Sequence, residues 1–184
     1  MSRFGGLDWD GPDFQNQAAF QHHNYDQALK SRRGRKALAE LREALMALPE
    51  HKLIRGALCT VNPEKRFRWE PEEWDGIKPF EVREAGGEGV CLVGAFAWYK
   101  GLQKGKDPTQ AFDDLPTIFY EEGDGPFETA WVGEGAGLTY QLAWRLGYMN
   151  DEEWWEMEPE ARWEAALAWV DAELAKPYDP ALAR

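Results

Sequence analysis

The chain has little of what most catalytic and metal sites are built from. Of its 184 residues only 2 are cysteine and 3 are histidine, and Ser2 and Ser31 are its only serines. No CxxC or Cys/His pairing at zinc spacing occurs, which argues against a structural zinc. No GxSxG and no GxxxxGK[ST] is present, so a serine-hydrolase elbow and a nucleotide phosphate loop both lack their motifs. Cys59 and Cys91 lie among apolar neighbours (Ala57, Leu58, Val90, Leu92). Such surroundings raise a thiol's pKa rather than activate it, which disfavours pairing either with His51 as nucleophile and base. No apolar run approaches the ~18 residues of a membrane helix, and no charged-then-apolar leader opens the chain. A cytoplasmic protein with two buried, reduced thiols is therefore expected, with no membrane partner.

Basic residues are also scarce, at 21 against 33 acidic ones, for a formal charge of −12. That balance disfavours nonspecific attraction to phosphate backbones and anionic lipid. It is unevenly spread. Residues 1–60 carry 9 basic and 7 acidic groups, whereas residues 61–184 carry 12 and 26. The acidity belongs to the second two-thirds.

What is present suits one mainly α domain over residues 1–184, since 43% hydrophobic residues is a globular composition. Residues 1–12 read as a loose lead-in and 177–184 as a frayed tail. A helix is expected from Asp13 to about Lys30, and a clearer one over 35–48. There Leu38, Leu41, Leu45 and Leu48 recur at spacings of three, four and three, and Pro49 closes the element. Residues 60–88, rich in tryptophan, proline and glycine, form an irregular excursion. Residues 52–58 and 89–93 are each open to strand or helix, and their pairing allows a small hairpin. Ala95 to Leu102 reads as helix. Asp107-Pro108 opens a short helix, with Gln110 three residues after the cap. Gly135 to Leu146 reads as one helix through Leu138, Leu142 and Leu146. Asn150 and Glu153 repeat a capping spacing ahead of Trp154-Trp155. Glu158-Pro159 opens the last helix, whose stripe runs through Trp163, Ala166 or Leu167, Val170 and Leu174 to a stop at Pro177. Five to seven helices result.

The candidate sites are few. His22 and Asp26 share a helix face at a ligating spacing, but His23 points about 100° away, and no matching carboxylate set accompanies them. Gly133-Glu134-Gly135-Ala136-Gly137 lacks the dinucleotide fingerprint, and Glu134 repels phosphate, so a turn is expected there. Carboxylates at 151–160 beside tryptophan resemble a sugar-cleaving pair, yet an acidic first turn is what a helix dipole favours anyway. Lys30, Arg32, Arg33, Arg35 and Lys36 form the one dense basic cluster. It offers a contact for nucleic acid, a small ligand or an acidic partner, or simply a solvated joint between two helices.

Tryptophan is abundant instead, with 10 in the chain. Trp98, Trp144, Trp163 and Trp169 fall in expected helices. Trp69, Trp74, Trp154 and Trp155 sit among charges at segment ends, next to Glu152, Glu153 and Glu156. Half-exposed tryptophan ringed by charge is the composition of protein-binding hot spots, and the same residues equally suit the edge of a core.

Three stretches carry a likeness: Ser31-Arg32-Arg33-Gly34-Arg35-Lys36 leading to Ala47-Leu48-Pro49; Gly89-Val90-Cys91-Leu92-Val93-Gly94-Ala95; and Tyr148-Met149-Asn150-Asp151-Glu152 with Glu158-Pro159-Glu160-Ala161-Arg162-Trp163 and Ala168-Trp169-Val170. Together they resemble uncharacterised small proteins of bacteriophages and prophages, in the same order and over about half the chain. This sequence departs by inserting residues 60–88, by Arg35 where glutamine is expected, and by a longer middle. The resemblance implies a phage setting, hence a host cytoplasm, and a mostly helical fold; it implies no catalysis. A non-catalytic accessory protein without a cofactor is expected, binding a host or phage protein through an acidic, tryptophan-bearing surface. The alternatives are a DNA mimic whose carboxylates stand in for phosphates, and a nucleic-acid or small-ligand binder using Lys30 to Lys36.

Overall fold

The leucine stripe forms the helix its spacing dictates. In the computed structural model, which describes residues 28–55, 59–60, 89–115 and 127–178, α1 spans Arg32–Ala47. Leu38, Leu41 and Leu45 are completely buried and Leu48 nearly so. Each contributes about 1.5–3 kcal/mol by leaving water. Its start is set by Ser31, whose Oγ accepts the Gly34 N–H at 2.9 Å and donates to the Ala28 carbonyl at 2.7 Å. Residues 28–30 are helical, so the chain enters α1 from another helical turn. The two segments close so tightly that a Cβ on Gly34 would lie 1.8 Å from the Ala28 carbonyl oxygen. Glycine is required there by contact.

Residues 52–54 are not strand. The Leu53 N–H donates to the Pro159 carbonyl and the Ile54 N–H to the Val90 carbonyl, both at 3.0 Å. The ladder is instead formed by β1, Cys59–Thr60, and β2, Gly89–Val90, antiparallel with Cys59 opposite Val90. Its two-residue length follows from Cys91, which caps the next helix, α2, at Leu92–Gln103. Residues 91–93 are thus cap and first turn, not strand. α2 buries Leu92, Val93, Ala95, Phe96 and Trp98 and packs against α1, α3, α4 and α5. A helix apolar on nearly every side belongs at the centre.

α3 (Pro108–Asp113) starts as its sequence indicates, with Asp107 accepting the Gln110 N–H and proline in the first turn. Gly135 to Leu146 is not one helix. α4 (Phe127–Ala136) and α5 (Tyr140–Tyr148) flank a break at residues 137–139. Gly137 at φ 111° closes α4: its N–H donates to the Glu134 carbonyl and that of Leu138 to the Gly133 carbonyl, both at 2.9 Å. This pair of bonds is the Schellman closure. Leu138, Leu142 and Leu146 are all buried, though only the last two share a helix. Gly133 lets α4 and α5 touch, since a Cβ there would meet the Ala143 methyl at 2.5 Å.

After α5 comes a π-helical turn, Met149–Glu153, and then α6 at Pro159–Ala175, packed on α1. The domain is mainly α, with six α-helices and this π turn among the described residues. None of its described helices is long and apolar enough to cross a membrane.

Candidate functional site

The basic cluster lies at the N-terminus of α1, where its charges oppose that helix's own dipole. Two of its members are turned toward other helix ends. Arg35 donates to the carbonyls of Glu173 and Leu174, at 2.5 and 2.6 Å, in the last turn of α6. Arg33 donates to the Gly137 and Leu138 carbonyls, at 3.0–3.3 Å, in the turn that closes α4. Cations at helix C-termini satisfy orphan carbonyls and the negative dipole end together. Arg35 thus ties α1 to α6. Lys30, Arg32 and Lys36 remain exposed, and Lys36 makes only a loose pair with Glu40 at 3.8 Å.

The acidic, tryptophan-bearing segment divides differently from the expectation. Trp154 is only 8% exposed and belongs to the core. It follows the π turn, and its backbone N–H donates to the Met149 carbonyl at 3.0 Å. Trp155 faces out at 42% exposure, with the Arg55 guanidinium 4.2 Å from its ring centre. Arg55 also donates to the Trp155 carbonyl, fixing the stack from two sides. Glu152, Glu153 and Glu156 are exposed, and Glu153 is ion-paired with Arg145. Arg145 in turn sits 5.8 Å from the ring centre of Tyr148, and Tyr148 stacks on Trp144. Trp69 and Trp74 lie outside the described residues, as do His22, His23 and Asp26.

A buried polar centre escaped the sequence reading. Asn150 and Arg162 are 0% and 1% exposed, and Asp151 is 8% exposed. Asn150 is not a cap: its amide donates to the Ile54 carbonyl at 2.8 Å and to Asp151 at 2.7 Å, while its oxygen accepts the Leu92 N–H at 3.2 Å. It therefore serves the start of α2, whose Cys91 sulfur accepts the Gly94 N–H at 3.4 Å. Arg162 spreads its guanidinium over backbone carbonyls, those of Leu53 and Met157 at 2.6 Å, Trp154 at 3.3 Å and Trp155 at 3.5 Å. Burial holds the guanidinium below its ordinary pKa, with Arg55 adding to the effect and Asp151 opposing it. The signal for Arg162 was its position, four residues before Ala166 and eight before Val170, on the buried stripe of α6.

The remaining candidates separate. His51 stacks on Trp163 at 4.4 Å between ring centres, while Cys91 is completely buried at the start of α2. The glycine-rich stretch forms the C-terminal end of α4 and its closing turn, and so presents carbonyls rather than a helix N-terminus. Among the described residues no group of three or more His, Cys, Asp or Glu is placed to hold a metal ion. Neither a family model nor a curated protein nor a solved structure matches the chain.

Proposed function

We propose that this chain is a non-catalytic accessory protein, of bacteriophage setting on the resemblance above, that binds a host or phage protein through the surface around Trp155. One observation carries the reading. Of the five exposed large hydrophobic residues among the described ones, Tyr148, Trp155 and Met157 fall within ten consecutive positions, interleaved with exposed Glu152, Glu153 and Glu156 and followed by exposed Glu158. An indole held rigid by Arg55 gives up little conformational freedom on binding. Acidic neighbours steer a basic partner toward it and reject acidic ones.

The test is capture of partners from phage-infected cells on the tagged chain, with washes at low and high salt. One protein recovered in stoichiometric amount supports the reading. Retention at high salt assigns the interface to the aromatic centre, and steep loss assigns it to the carboxylates, as a DNA mimic requires. A chain that emerges alone from both washes overturns it.

A further inference from the structure

A second surface, of opposite sign, borders α1. Arg33, Lys36, Glu40 and Lys100 line an open cavity of about 350 Å³ whose floor includes Ala37, Ala136 and Gly137. Lys100 and Ala136 also line a neighbouring cavity of about 180 Å³, where Lys104, Lys106 and Asp114 supply the charge. The two meet at Lys100 and Ala136, and together they run as a groove along α1, α2, α3 and α4. Among the described residues it carries five cations against two carboxylates, in a chain whose overall charge is −12.

Both carboxylates are already engaged. Glu40 lies 3.2 Å from Lys100 and 3.8 Å from Lys36, and Asp114 pairs with Lys106. Arg33 turns its guanidinium to the Gly137 and Leu138 carbonyls but keeps its charge. Five cations less two carboxylates leave three positive charges among the described residues, one on Arg33 and the others on exposed Lys36 and Lys104, which border one cavity each. Among the described residues no aromatic side chain lines either cavity, so none of them offers a nucleotide base a ring to stack on. Its floor of small apolar side chains (Ala37, Ala97, Val132, Ala136) suits a chain with its own methyl and methylene groups better than bare phosphate. A long nucleic acid would also meet the acidic remainder of the molecule.

From this charge complementarity we infer that the groove binds a short acidic peptide of a partner protein. Carboxylates of the peptide engage Lys36 and Lys104, and its apolar atoms cover the alanine floor. The site is separate from Trp155, and neither assignment depends on the other.

The experiment is fluorescence anisotropy of a labelled twelve-residue peptide of alternating glutamate and alanine, titrated with the intact chain at low salt. A Lys36→Glu/Lys104→Glu variant, whose two positions are exposed, serves as comparison, with circular dichroism confirming its fold. Saturable binding to the wild type, at least about tenfold weaker in the variant and weakening with salt, is expected. Absence of saturable binding, or equal affinity in the two proteins, overturns the inference. Displacement of the peptide by tripolyphosphate at equal charge overturns the peptide assignment in favour of a simple anion. Sedimentation showing a dimer that the double variant abolishes gives the groove to a second copy of the chain and overturns it as well.

Discussion

Replacing Arg162 with alanine is the most informative single perturbation of this fold. The side chain is 1% exposed and donates to four backbone carbonyls, two of them at 2.6 Å. A short bond from a charged donor contributes about 1.5–3 kcal/mol, so the two short ones carry about 3–6 kcal/mol and the two long ones little. Removing a buried charge returns part of this, because its desolvation is no longer required. The Leu53 carbonyl, 109 residues away in sequence, loses its charged donor. A net loss of about 3–5 kcal/mol follows. With a urea dependence of about 2 kcal/mol per molar for a domain of this size, the unfolding midpoint falls by about 1.5–2.5 M. Tryptophan fluorescence reports the transition, since Trp154 and Trp163 flank the site. Arg162→Lys recovers only part of the loss, because a point donor cannot span carbonyls a planar fork reaches. A fall of less than 1 kcal/mol in Arg162→Ala would refute the reasoning, and would mean that the carbonyls find water once the side chain is gone.

Three further outcomes follow from particular contacts. Gly34→Ala loses at least about 3 kcal/mol, because the new methyl meets backbone at 1.8 Å, whereas Gly135→Ala, helical with open space around it, gains about 0.5–1 kcal/mol; thermal midpoints of the pair check both signs. Trp154→Ala costs about 3–5 kcal/mol as a core truncation, and Trp155→Ala less than about 1 kcal/mol, so their denaturation curves separate cleanly. The Tyr99 hydroxyl donates to Glu43 at 2.7 Å, and that bond, then burial, raises its pKa above the ordinary value. A raised folded-state pKa stabilises below the unfolded value of about 10 and is lost as pH climbs through the folded one. The stability difference between wild type and Tyr99→Phe should therefore be full at pH ~8 and shrink at pH ~11; a constant difference contradicts the assignment.

The sequence was legible where structure is set by neighbours along the chain. The leucine spacing of α1, the Asp107-Pro108 start of α3 and the Pro159 start of α6 are local signals, and each sits where it was expected. It misled where one pattern served two structures. Leu138, Leu142 and Leu146 keep a helical spacing across a Schellman turn, because the residue after such a turn packs back onto the helix it ends. Gly137 was the sign of the break. Asn150 and Glu153 have the spacing of a helix start, but tertiary demand for a buried amide at Leu92 took Asn150 inward. Trp154 and Trp155 are indistinguishable by composition and are sorted only by the π turn before them. The basic cluster could not be read as helix-end ties, since its partners lie more than a hundred residues away.

The proposed role of the surface around Trp155 rests on that side chain as its anchor. Capture from infected cells should be run side by side on the wild type and on Trp155→Ser, at equal loading, with quantitative mass spectrometry of what is retained. If the proposed role holds, one dominant protein is recovered, and its recovery drops at least about tenfold with the serine variant, as the loss of a central aromatic anchor requires. The same proteins in the same amounts on both would contradict it.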